Sequence, residues 1–453
     1  MDFTTANSNR PERRKVAVIG SGISGLSAAW LLDKTADVTL FEADSRLGGH
    51  ANTFEVAVPG KPAIAVDTGF IVYNELNYPN LVALFDHLGV ETQASDMSFA
   101  ASMRSGRLEY SGSGLAGLFG QKSNILRPQF WLMVRDVLRF YRQAPALIND
   151  PSLQGVSLGW YLDTKGYSSS FIDDHLLPMG AAIWSTTAAD MRAYPLQAFI
   201  RFFVNHGLVQ LSGRPQWRTV KGGSREYISR IMAQFGGKVI LDSRIAGIRR
   251  GPDGVKVLDR AGHMSLFDDV VIATHADQAL ALLADADADE QSVLGAFGYT
   301  NNTAILHSDE TLMPRRRNVW SSWNYLSTQN ASGNEQLCLT YWMNRLQNID
   351  DATPLFVTLN PSRPVAASKL IATFDYAHPL FDTKAIEAQK LLWNLQGRRH
   401  TWFCGAHFGS GFHEDGLQSG LAVAEAIGGV RRPWSVENES GRIFLTPQQA
   451  LAS

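Results

Sequence analysis

Six residues near the start of the chain have the types and spacing to hold a phosphorylated ligand. Gly20-Ser21-Gly22-Ile23-Ser24-Gly25 is a G-x-G-x-x-G run between the apolar stretch Val16 to Ile19 and a small-residue helical stretch. In that setting Gly20 makes the tight turn, Gly22 lets the backbone approach a pyrophosphate, and Gly25 lets helix and strand pack closely. Ile23 and Ser24 open the helix, whose N–H groups and positive dipole end suit phosphates. The next strand-like run, "ADVTLFEA", ends in Glu42 and Ala43, at about the twenty-residue spacing expected of a ribose-binding acid. A carboxylate there accepts ribose hydroxyls and repels a 2′-phosphate. The alternative for Glu42 is a solvated acid at a strand end. The unit as a whole favours the ADP moiety of a dinucleotide.

The identity of the dinucleotide is carried by "FEADSRLGGHANTF" and "AVDTGFIVYN". Arg46-Leu47-Gly48-Gly49 so soon after the ribose acid resembles the flavoprotein amine oxidase and phytoene desaturase superfamily. There R-x-G-G-R lies along the pyrophosphate and ribityl chain of FAD. His50 stands where that motif ends in Arg. The second stretch, with Thr68, Gly69 and Phe70, resembles the segment that returns to the flavin ring. The resemblance implies FAD, not NAD, and non-covalent binding is expected, although His50 and Cys404 are nucleophiles near cofactor segments.

Two later stretches extend the resemblance. "RTVKGGSREYISRIMAQFGGKVILDSRIAGIRR" reads as Gly turn, helix and strand, followed by a hairpin around Pro252-Asp253-Gly254 and a buried strand from Asp269 to Ala273. In the superfamily the "RIAGI" strand brings backbone near the adenine, which points to Ile245. "TWFCGAHFGSGFHEDGLQSGLAVAEAI" reads as strand, Gly-rich loop and helix. Gly405 follows the strand, and Ala406 stands where the superfamily commonly has an acid. His413, Glu414 and Asp415 open the helix, whose N-terminus is implied to face the flavin pyrimidine. A capped, solvated helix start is the alternative for those side chains. The implied fold class is α/β: a Rossmann-like FAD-binding domain with a discontinuous α+β substrate domain. The FAD-binding parts are expected at 15–74, 216–278 and 395–430, the substrate domain at 75–215 and 279–394, and tails at 1–14 and 431–453.

Composition bounds the rest. A chain of 453 residues has room for two to three domains. A net charge of −2 argues against general nucleic-acid binding, and two cysteines form no disulfide framework. No spacing suggests a metal site. No apolar run reaches the roughly eighteen residues of a spanning helix. The first fourteen residues are polar, end in a basic cluster, and read as a disordered leader. The expected compartment is cytoplasmic, with peripheral contact at the inner membrane face left open.

The middle of the chain narrows the resemblance. "FFVNHGLVQLSGRPQWRTVKGGSREYI", "LTYWMNRLQNI", "PLFVTLNP" and "HPLFD" are similar to a bacterial group known as predicted NAD/FAD-binding proteins. Related sequence forms the oxidase-like N-terminal part of plant cyclopropane fatty acid synthases. Some bacterial members accompany lipid methyltransferases and are linked to desaturation on the way to furan fatty acids. The resemblance implies a lipid or fatty acyl substrate, with a methyltransferase or electron acceptor as partner. "LRPQFWLMVRDVLRFYRQ" independently reads as a basic amphipathic helix suited to a membrane surface. Its alternative is a helix docked on its own domain, because Asp136 interrupts the basic face. The aromatic stretch around Trp184 lines an acyl tunnel or is plain core.

Candidate reacting groups follow from the two substrate classes. An amine needs an aromatic cage, to which Tyr341 and Trp342 could contribute, with Asn344 beside them. An acyl chain losing a hydride beside a double bond needs a base for the adjacent proton. His206 is the candidate base, with Asn205 to orient it; His407 and Glu414 rank below. For each histidine a satisfied structural role is the alternative. The leading expectation is acyl desaturation or oxidation. An amine oxidase, a redox-neutral fatty acid isomerase and a non-catalytic partner of a methyltransferase stay open beside it.

Overall fold

The computed structural model describes residues 13–184, 187–329 and 335–445. Five parallel strands form one sheet in the order Lys238–Ile240, Asp37–Phe41, Lys15–Ile19, Asp269–Ile272, Thr401–Phe403. Helices cover its faces, so Val16, Ala17, Val18, Val270, Val271 and Ile272 are wholly buried. This is why these strands read as unbroken apolar runs. The strands come from three distant parts of the chain. Helix Ile23–Leu32 packs against helix His413–Gly428 at backbone contact. A Cβ added to Gly420 would stand 2.2 Å from the Ser24 carbonyl oxygen.

A second sheet of seven strands runs Leu370–Leu380, Gly298–His307, Phe356–Leu359, Glu335–Trp342, Trp323–Gln329, Phe99–Met103, Leu108–Ser111. Its pairings are antiparallel except that of Trp323–Gln329 with Phe99–Met103. A helical layer, including Pro128–Leu147, Leu177–Trp184 and Leu196–Asn205, shares one apolar core with this sheet. The large cavity lies where the two units meet, bounded by residues of both.

The expected boundaries shift where packing overrides chain order. Helix Pro79–Leu88 belongs to the dinucleotide unit, since Tyr78, Leu81, Leu84 and Phe85 sit in its core. The boundary at 278/279 falls inside helix Ala276–Leu282, and that at 394/395 inside the turn Leu392–Leu395. Residues 431–445 are no loose tail. Arg432 donates to Asn80 Oδ1 (2.8 Å) and Glu425 Oε2 (3.0 Å), and Arg442 pairs with Asp415 (2.6 Å). Residues 1–12 and 446–453 lie outside the described residues. No helix among the described residues is long and apolar enough to cross a membrane.

Candidate active site

The glycine turn sits at the carboxyl ends of the parallel strands, where such sheets bind ligands. Gly20 adopts φ +98°, and a Cβ there would lie 3.0 Å from the Ala273 carbonyl oxygen. At Gly25 a Cβ would lie 1.9 Å from the Gly20 carbonyl oxygen, so this glycine serves packing and does not line the cavity. Gly22 is different. It is extended, lines the cavity, and an added Cβ would meet nothing within 4 Å. No side chain caps the helix that begins at Ile23, which leaves its first N–H groups available.

Glu42 is held in place by the turn it serves. Ser21 N donates to Oε2 at 2.8 Å, Asp44 N donates to Oε1 at 3.0 Å, and the Ser21 hydroxyl bonds the same carboxylate. Gly48 N donates to Ser21 Oγ at 3.1 Å, tying the second glycine pair to the first. A Cβ on Gly49 would stand 3.3 Å from Gly22 Cα. Arg46 donates to the Gly49 carbonyl at 2.9 Å. Ala43 and Ile245 line the outer end of the cavity. Two apposed backbone turns, an uncapped helix start and a fixed carboxylate fit the pyrophosphate and ribose of FAD. The same cavity continues past Thr68, Gly69 and Phe70, with room for a ring system.

At that inner end, Thr68 Oγ1 bonds the Tyr376 hydroxyl (2.8 Å), and Phe70 stacks on His413 at 3.7 Å. His50 lies among Tyr376, His378 and His275, at ring-centroid distances of 5.0, 5.4 and 6.2 Å. Its Nε2 is buried without a partner. Burial, then the neighbouring imidazoles, hold His50 well below the usual histidine range. It is therefore neutral and does not supply the charge of the Arg it replaces; Arg46 is the nearby cation. Gly405 and Ala406 also line the cavity.

Glu414 and Asp415 do not face this cavity, contrary to the expectation for cofactor contacts. Glu414 is buried and accepts from Asn80 N (3.1 Å), Leu81 N (3.0 Å) and Gln418 Nε2 (2.9 Å). Asp415 accepts from Phe412 N (2.7 Å) and pairs with Arg442. Asp415 closes the start of its own helix, whereas Glu414 satisfies the first N–H groups of helix Pro79–Leu88. Gly411, Phe412 and His413 are the residues of this segment that line the cavity.

The cavity holds about 1200 Å³, more than a pocket for one small ligand. Beyond Phe412 its wall includes Tyr110, Met133, Val137, Tyr141, Met179 and Trp184. Its acidic lining residues among those described are Glu42, Asp44 and Asp375. Glu42 and Asp44 belong to the cradle, and Asp375 is exposed. His206 reaches the wall from the end of helix Leu196–Asn205. Its Nδ1 contacts the Phe202 carbonyl at 2.9 Å, which can only accept, so Nδ1 carries the proton. Nε2 is buried and unpartnered. Burial pulls His206 down to about 3, so the ring is neutral near pH 7. His407 also lines the cavity, likewise pulled down by burial to about 3.

Three substrate-side expectations fail on geometry. Asn205 is exposed and off the cavity, since it sits one residue from His206 on a helix. Trp342 points away from Tyr341, as successive strand residues must. Tyr341 lines the cavity, edge-on to Trp323 at 5.2 Å, while Trp342 packs edge-on to Trp320 at 5.5 Å over a separate surface depression. Asn344 ties its own loop, donating to the carbonyls of Asp350 (2.9 Å) and Thr353 (2.8 Å). Cys404 is fully buried and off the cavity.

Several wall residues escaped the sequence reading: Tyr376 and His378 on one strand face, His275 and Tyr299 stacked at 4.5 Å, and the Phe202–Phe412 pair at 4.8 Å. The i, i+2 spacing of Tyr376 and His378 was the available signal.

Comparisons with known proteins agree with this geometry. Residues 18–88 match the NAD(P)-binding Rossmann-like domain, and residues 170–350 match the flavin containing amine oxidoreductase family. A tryptophan 2-monooxygenase of Allorhizobium ampelinum is 38% identical over 81 residues, 17% of this chain and 11% of that protein. The chain spans 11% to 61% of the length of the curated relatives it matches. Cyclohexylamine oxidase from Brevibacterium oxydans superposes with a TM-score of 0.64 at 15% identity, covering 92% of this chain and 99% of that one. A CLA-producing fatty acid isomerase from P. acnes superposes with a TM-score of 0.61 at 15% identity, covering 93% and 99%. At such identities the superpositions speak for the fold alone. The glycine cradle, the fixed Glu42 and the two matched segments together make the chain similar to the flavin containing amine oxidoreductases.

Proposed function

We propose that this protein is an FAD-dependent oxidoreductase acting on fatty acyl chains, most simply methylated or unsaturated chains of phospholipids. The observation that carries the reading is the apolar limb of the cavity. It is lined mainly by aromatic and aliphatic side chains, and among the described residues no carboxylate lines it beside His206 to hold an ammonium group. A cationic amine would be desolvated there without a counter-charge, which is costly. An acyl chain loses nothing.

FAD, when bound, supplies a two-electron hydride acceptor. The chain's own residues do the rest. The Gly20–Gly25 turn, Glu42 and Arg46 fix the cofactor's polar end. Met133, Val137, Tyr141 and Trp184 align an extended chain and exclude water. Tyr341 and Phe412 narrow the inner end. His206 Nε2 offers a lone pair to the proton beside the oxidised carbon. Such a proton is strongly acidic once positive charge develops, so a neutral, weakly basic imidazole suffices.

An amine oxidase remains the competing reading, favoured by the Phe202, His206 and Phe412 rings, which could flank an uncharged amine. Anaerobic bleaching of the flavin separates the two. Bleaching by methylated or unsaturated phospholipids and not by amines is the expected result. Bleaching by an amine alone would sink the acyl reading. Silence with both would favour a redox-neutral isomerase or a partner without chemistry of its own.

A further inference from the structure

The outer end of the apolar limb opens on an unusual surface. Leu115 and Leu211 line the cavity, yet are 75% and 68% exposed. Leu138 and Arg214 are also exposed and line it. Around this mouth stand further exposed apolar side chains: Ile125, Leu126, Trp131 and Leu132, with Leu126 at 86%. Solvated leucines at such density are costly for a free surface.

Helix Pro128–Leu147 organises the patch. One face, with Phe130, Met133, Phe140 and Tyr141, packs inward. The opposite stripe carries Trp131, Arg135, Leu138 and Arg142 at spacings of four, three and four, and all four are exposed. The sequence reading set Asp136 against a basic membrane face. In the structure Asp136 lies off that face: it is wholly buried, accepts from Ser168 N at 2.9 Å and pairs with Arg135 at 3.0 Å, so Arg135 is partly neutralised and Lys122, Arg127, Arg139 and Arg142 carry the basic character. From residue 112 to residue 149 the chain has five cations, Lys122, Arg127, Arg135, Arg139 and Arg142, and no other acid. The loop from 207 to 216, which carries Leu211, adds Arg214 and no acid. A protein of net charge −2 has thus gathered cations beside this apolar surface.

We propose that this face docks on an anionic phospholipid bilayer, with Leu115, Leu126, Leu132 and Trp131 entering the acyl boundary and the arginines meeting phosphate headgroups. Leucine and tryptophan among arginines is the chemistry of an interfacial helix. The mixture suits a bilayer better than a protein partner, whose contact core is depleted in charge. Docking places the cavity mouth against lipid chains, so a chain could enter without crossing water. The docking itself rests on the surface alone; its purpose rests on the acyl reading.

The test is flotation of the flavin-loaded full chain with vesicles of phosphatidylcholine alone or mixed with phosphatidylglycerol. Binding to the mixed vesicles, weakened by salt, is expected. Leu126→Glu with Leu132→Glu, neither of which lines the cavity, should weaken binding at least about tenfold while leaving flavin content intact. Arg142→Gln should cost about fivefold on mixed vesicles and little on neutral ones. Failure to bind either vesicle, or equal binding by all variants, overturns the proposal. So does self-association abolished by the same substitutions, which would assign the patch to a second copy. Flavin bleaching by micelle-dispersed lipid is measured alongside. Bleaching without vesicle binding defeats docking only, and vesicle binding without bleaching defeats the acyl reading only.

Discussion

His206 and Phe412 stand 5.8 Å apart between ring centroids at the inner end of the cavity, and Phe202 stacks on both, at 3.8 and 4.8 Å. The stack fixes the imidazole plane, and the Phe202 carbonyl fixes its tautomer. What remains is one unpartnered nitrogen, on a residue of the cavity wall. Replacing His206 by Ala is expected to leave flavin content unchanged and slow substrate-driven bleaching by about 10²-fold or more. Because burial holds His206 near 3, its loss should not remove any inflection between pH 6 and 7. Stopped-flow bleaching across that range checks both statements; an unchanged rate would make His206 structural.

Gly22 and Gly25 should fail in opposite ways. A side chain at Gly22 enters open cavity, so Gly22→Val is expected to fold with nearly the parent melting temperature as apoprotein and to bind no flavin. Gly25→Ala drives a methyl into the Gly20 carbonyl and should cost on the order of 1–3 kcal/mol of stability. Flavin absorbance and thermal melts of the two variants decide this. A yellow Gly22→Val protein of normal flavin content would contradict the cradle.

Arg442 reaches back from the last described stretch to Asp415, to the Asn77 carbonyl (2.9 Å) and to the face of Tyr78 (5.6 Å to the centroid). Arg442→Ala leaves Asp415 buried without its cation. A loss of about 3–5 kcal/mol is expected. Urea unfolding measures it. Arg442→Ala with Asp415→Asn should recover part of the loss, since the uncompensated charge is gone.

Buried histidines should cost stability on mild acidification, opposed in part by Asp67, whose carboxyl burial raises to about 6. Burial pulls His175, His307 and His378 down to about 4, and His206, His407 and His413 to about 3. Unfolded histidine titrates near 6.5, so between about 6.5 and 4 the unfolded chain binds more protons than the fold. Their stabilising effect is therefore present above pH 6.5 and lost as pH falls through that window, at up to about 1.4 kcal/mol per group per pH unit. Melting temperatures from pH 7.5 to 5 test this. A flat profile in both the parent and Asp67→Asn, which removes the opposing carboxyl, would mean that these rings titrate normally inside the fold.

The two halves of the site differed in how far they could be read from sequence. The cradle was legible because its demands are local. A positive φ at Gly20, open space at Gly22 and a strand-ending acid each constrain residue type at fixed offsets, so Gly20 to Gly25, Glu42 and Gly48-Gly49 declare themselves in order. The substrate end makes no such demand. Any apolar residue serves a wall, and the wall is assembled from side chains far apart in the chain.

What the sequence by itself determined was the dinucleotide fold and the polar end of its ligand, because short-range backbone geometry dictates those residues. Only the tertiary structure decided the rest. Strand pleat turned Tyr341 inward and Trp342 outward, and helix rotation hid Asp136 while exposing Arg135 and Arg142. Long-range pairing spent Glu414 and Asp415 on Asn80 and Arg442 instead of on the cofactor. Each of these depends on which face of an element meets its neighbour, and that is set by the whole packed core and not by the residues beside it.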